Sequence, residues 1–96
     1  MKTYLIQRNV PGAGKLSAVE KKAIAIKSCK VIAELGPRLE WDHSYITKDN
    51  LWCIYRADGE EILREHGRRG NFPVNAILEI AGTFSPATAT AELATV

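Results

Sequence analysis

The chain is poor in the residues that most often carry a chemistry. Its 96 residues include two cysteines, Cys29 and Cys53, and two histidines, His43 and His66. The cysteine spacing matches no zinc module, and reduced thiols in a cytoplasmic protein are the expectation. Two histidines with no Ser/His/Asp spacing argue against a hydrolase triad. No sign of charge dominates: 13 basic residues face 11 acidic ones, a net charge of +2. That balance gives no case for nucleic acid as a partner, although Arg64, Arg68 and Arg69 cluster locally. Apolar runs fall far short of a membrane span, and the opening MKTYLIQR is too short and too polar to read as a signal peptide. The stretch NVPGAGKL resembles a phosphate-binding loop, but it lacks the G-x-x-x-x-G-K-[ST] spacing and puts Leu16 where the hydroxyl belongs.

What remains is an ordinary globular composition, 46% hydrophobic and 25% charged, of a length that suits one domain over residues 1–85 with an Ala/Thr-rich tail over 86–96. Such a tail is expected to be mobile or a docked arm. Lys2 to Arg8 reads as a strand, followed by a Pro/Gly loop. Ser17 and Glu20 have the spacing of a capping box. The helix they open places Ile24, Ser28, Val31, Ile32 and Leu35 on one side and stops at Gly36-Pro37. Ile26 falls off that stripe, as a second contact surface or as a lone exposed residue.

From Leu39 to Thr47 the chain alternates, with Trp41, His43 and Tyr45 on one side. A short turn at Lys48-Asp49-Asn50 leads into Leu51 to Ala57, apolar on both sides as in a central strand. The register of this hairpin decides whether His43 and Cys53 share a face, and the sequence leaves that open. Asp58 and Glu61 suggest a second capping box for a helix ending near Gly67 or Gly70. Asn75 to Phe84 is the last strand, with Ala76, Leu78, Ile80, Gly82 and Phe84 on one side.

The order βαββαβ points to an α+β fold, the ferredoxin-like split βαβ plan. Right-handed crossovers give an antiparallel four-stranded sheet in the order 4-1-3-2, with both helices on one face. The other face needs cover, and a second copy of the chain supplies it, so a homodimer is expected.

His66 follows Ile62 by four residues and Leu63 by three, which puts it on the sheet-facing side of the second helix. A buried imidazole needs polar partners, a backbone carbonyl or Tyr4 among them. Metal ligation is the sharper alternative, with His43, Cys53, Glu61 and Glu65 as further donors. Cys53 also reads as an inert buried thiol. Strand 2 lies two strand spacings of about 4.8 Å from strand 1, so a site combining His43 with His66 needs a partner subunit or a bent edge strand.

Taken together, RNVPGAGKLS (8–17), KSC (27–29), LGP (35–37), WDHSY (41–45), CIY (53–55) and REHGRRGNFP (64–73) resemble a family of small bacterial nickel-binding proteins, formerly a domain of unknown function. The likeness spans about residues 3 to 84. It implies a single ferredoxin-like domain, homodimerisation, and a metal-binding, non-catalytic role with nickel as the ion. It also implies His66 and Cys53 as functional positions; His43, which matches less closely, is a third candidate ligand. Gly67 stands where members are expected to carry alanine. A second reading is a dimeric ferredoxin-like enzyme or small-molecule-binding module with a pocket around His66.

Overall fold

The computed structural model describes residues 1–92. Its order is β1 (Lys2–Asn9), α1 (Ala18–Leu35), β2 (Leu39–Ile46), β3 (Asn50–Ala57), α2 (Glu60–Gly70) and β4 (Ala76–Glu79), with 3₁₀ turns at Ala13–Lys15 and Pro86–Thr90. The four strands form one antiparallel sheet in the order β2-β3-β1-β4, which is the expected 4-1-3-2 read from the other edge. Two helices cover one face of the sheet, the α+β, ferredoxin-like arrangement.

Alternation along β1 sets that face. Tyr4, Ile6 and Arg8 are buried under the helices, while Thr3, Leu5 and Gln7 point the other way. Pairing carries the division across the sheet, Tyr4 opposite Tyr55 and Ile6 opposite both Cys53 and Ile77. Leu39, Ala57, Ile62 and Leu63 complete the core between sheet and helices.

Local signals behave unequally. The capping box of α1 forms in both directions, Glu20 N–H to Ser17 Oγ at 3.1 Å and Ser17 N–H to Glu20 Oε1 at 2.9 Å. Gly36 ends the helix at a φ of 82°. The expected box at Asp58 does not form. Gly59 is the N-cap of α2 and no side chain caps it, because Asp58 turns to Arg38: its N–H bonds the Arg38 carbonyl at 3.0 Å and its carboxylate lies 3.7 Å from the guanidinium. The last strand is also shorter than expected. Pairing with β1 ends at Glu79, and the buried side holds Ile77 rather than the Leu78 series. Leu78 and Phe84 are exposed.

The largest departure lies in β2. The pairing skips one residue between Trp41 and His43, leaving Asp42 as a bulge. One extra residue in a strand reverses the facing of every later side chain relative to simple alternation. Trp41 and Ser44 therefore lie on the helix side, opposite Tyr55 and Cys53, whereas His43 and Tyr45 lie on the open side opposite Ile54 and Trp52. The simple alternation that grouped Trp41 with His43 fails at this point.

Candidate functional site

Three elements bring one polar group each into the apolar space beneath the helices. Ser28 comes from the buried stripe of α1, His66 from the inner side of α2, and Tyr55 from β3. His66 is 0% exposed. Its Nε2 lies 3.1 Å from Ser28 Oγ, which in turn lies 3.3 Å from the Tyr55 hydroxyl. The partner of His66 is thus the other helix, not Tyr4 or a backbone carbonyl. Nδ1 is buried without a partner. A proton on Nε2, donated to Ser28, leaves only a lone pair at Nδ1, the cheaper orphan.

Arg8 is the neighbour that the sequence reading missed. It is 3% exposed, one of the few fully enclosed guanidinium groups a small domain tolerates. Nη1 donates to the Pro73 carbonyl at 3.0 Å. The guanidinium carbon stands 5.9 Å from the Tyr55 ring centroid and 5.5 Å from that of Phe72, within cation–π range. Nη2 has no hydrogen-bond partner, and among the described residues no carboxylate pairs with Arg8. The signal was present: Arg8 follows Tyr4 by four residues in a strand, so both must share a face.

Phe72 closes the group. Its ring lies against His66 with centroids 5.3 Å apart and planes 26° from parallel. The backbone allows this approach because Asn71 takes a left-handed conformation at φ 55° and the Phe72 N–H bonds the Gly67 carbonyl at 2.8 Å. Burial, then the charge on Arg8, push the His66 imidazole down to about 4, so it is neutral near pH 7. Burial also raises the Tyr55 phenol above its ordinary value.

Cys53 is buried on the same side and lines a cavity of about 40 Å³ with Arg8, Ser28, Tyr55 and Phe72. His43 is not there. It is exposed on the open side, its ring edge-on to Tyr45 with centroids 5.0 Å apart. His43 and Cys53 therefore occupy opposite faces of the sheet. Arg68 and Arg69 both bind Glu65 on the surface of α2, a solvated cap that lowers the Glu65 carboxyl.

The model of a family described as "Nickel responsive protein SCO4226-like" matches residues 4–80. The chain belongs to this family. The resemblance carried by the segments from RNVPGAGKLS to REHGRRGNFP is borne out. The fold agrees as well. A crystal structure of SCO4226 from Streptomyces coelicolor A3(2) aligns with 85% of this chain and 99% of that chain, at a TM-score of 0.72 and 8% identity. At that identity the likeness speaks for the SCO4226-like fold alone. No curated protein matches the sequence.

Whether an SCO4226-like chain with these residues can hold nickel is decided by donor chemistry. Among the described residues, no three His, Cys, Asp or Glu side chains converge as a metal site. The interior offers His66 and Cys53, but the enclosed Arg8 cation already opposes positive charge on His66 and would oppose a divalent ion more strongly. The free nitrogen of His66 is buried without a second donor shown beside it. The interior therefore does not fit a nickel ion. On the open side His43 is an accessible imidazole on the same side as Glu40 and Asp42, both of which bind Arg56.

Proposed function

We propose that the protein is a nickel-responsive, metal-binding homodimer without catalytic activity, which works in the cytoplasm and takes up its ion on the open face of the sheet where two copies meet. The observation that carries this reading is the position of His43. It is an exposed imidazole on the face that neither α1 nor α2 covers, where it shares a cavity with Thr3, Tyr45, Ile54 and residues 80–83. Leu78 and Tyr45 are 58% and 60% exposed there, flanked by the half-buried Leu5, Trp52 and Ile54. Exposed apolar residues grouped on one face suit contact with a second copy. Pairing would bring two copies of His43 into one interface, and imidazole nitrogen is a donor suited to nickel; Glu40 and Asp42 on the same side are already held by Arg56. The family description supports nickel as the ion. Here His43 replaces the interior pair of His66 and Cys53 as the proposed ligand.

Sedimentation of tag-free protein with and without Ni²⁺ tests the reading. A dimer that binds Ni²⁺ supports it, and a monomer indifferent to the ion contradicts it.

A further inference from the structure

The chain runs on past the sheet. Pairing of β4 ends at Glu79, and one more bond, from the Ile80 N–H to the Thr3 carbonyl at 2.8 Å, holds the backbone at the sheet edge. The residues that follow keep to the open face. Residues 80–83 form one wall of a cavity of about 470 Å³, with His43, Tyr45 and Ile54 on the other side. The match to the family ends at residue 80, so the segment beyond is an addition to the shared domain.

Phe84 comes next, and its ring has no seat. It is 90% exposed, the most exposed large apolar side chain among the described residues, and contributes nothing to the cavity that begins one residue before it. Residues 81–92 are exposed throughout, yet the segment has local order. Ser85 and Thr88 close a capping box around the 3₁₀ turn Pro86–Thr90, with the Ser85 N–H donating to Thr88 Oγ1 at 2.9 Å. The chain thus shapes an arm that buries nothing on its own domain. Ordering a segment costs conformational entropy, and an aromatic ring offsets that cost only where it is buried.

Position and charge indicate where. The arm leaves from the face that carries the exposed Tyr45 and Leu78 and that neither helix covers. In a two-fold pair joined through this face, whatever projects from one copy meets the same face of the other. Residues 80–91 include no charged side chain, which suits an apolar protein surface rather than nucleic acid or lipid headgroups.

We propose that the two copies exchange arms: Phe84 of each enters the partner's cavity beside His43 and Tyr45, so that each cavity is walled by both chains. Residues 80–83 stay on their own copy and Phe84 crosses, with the partner's Tyr45 as its aromatic neighbour. The inference rests on the open-face homodimer proposed above and adds to it the element that locks the pair.

The test combines isotope-filtered NOE spectra of a mixture of labelled and unlabelled full-length, tag-free protein with sedimentation equilibrium of wild type and Phe84→Ala. The expected result is a dimer with NOEs from the Phe84 ring of one copy to Tyr45 and Ile54 of the other. Phe84→Ala, at an exposed position of the single chain, keeps the circular dichroism of the wild type and raises the dimer dissociation constant by about tenfold or more. A dimer in which Phe84 shows NOEs only within its own copy or none at all, or a dissociation constant unchanged in Phe84→Ala, would overturn the exchange and leave the open-face dimer standing. A wild type that stays monomeric at every concentration would overturn both, so the two readings fail distinguishably.

Discussion

His66 of α2 and Ser28 of α1 meet across the helix pair, Nε2 to Oγ at 3.1 Å, in an interior with almost no other side-chain hydrogen bonds. This contact fixes one helix against the other at a defined height, because a slip of either would strand two buried polar groups.

The same contact predicts a pH dependence. In the unfolded chain the imidazole titrates near 6.5, and in the fold near 4. Between those values the unfolded state binds more protons, so stability is complete above about pH 6.5 and declines as pH falls towards 4. The shift corresponds to roughly 3 kcal/mol at its limit. Urea unfolding at a series of pH values should show that decline in the wild type and a flatter profile in His66→Phe. The lowered Glu20 and Glu65 carboxyls add a further loss only below their ordinary 4.5, common to both proteins.

Ser28→Ala removes one atom that serves two partners. The Tyr55 hydroxyl and His66 Nε2 both lose a hydrogen bond, and an unsatisfied buried group costs about 1–3 kcal/mol. Denaturation should show a loss in that range. A change within about 0.5 kcal/mol, typical of a surface substitution, would mean the contact is dispensable.

Much of the fold was legible because its signals are local. Ser17 and Glu20 are three residues apart, and nothing elsewhere competes for them. The βαββαβ order leaves few topologies once crossovers must be right-handed, and the strand order followed. What failed depended on distant residues. Asp58 has the sequence of a helix cap but prefers Arg38, twenty residues away. The bulge at Asp42 adds one residue to an alternating run, and nothing in LEWDHSYIT marks where; with it the facing of His43 reverses. Arg8 was readable from its spacing to Tyr4, but an arginine at a strand end ordinarily reaches solvent.

Gly70 shows a packing constraint that propensity hides. A Cβ there would collide with the Phe72 ring, and at Gly67 it would come within 2.7 Å of a Val74 methyl. Alanine in a helix is worth about 1 kcal/mol over glycine, yet Gly70→Ala must push Phe72 off His66. Overpacking of that kind costs about 1–3 kcal/mol, so thermal denaturation should show a lower Tm despite the better helix former.

The open face predicts its own variant. Leu78 lies opposite Leu5 on that side and is exposed in the single chain. Leu78→Glu should leave the fold intact by circular dichroism and shift sedimentation from dimer to monomer. An unchanged dimer would place the interface elsewhere.

Calorimetric titration of Ni²⁺ into tag-free wild type, His43→Ala and His66→Ala, each verified as folded, bears most directly on where the ion goes. The open-face site predicts that His43→Ala abolishes the heat of binding and that His66→Ala retains it. Abolished binding in folded His66→Ala, with His43→Ala unaffected, would contradict the account and return the metal to the interior.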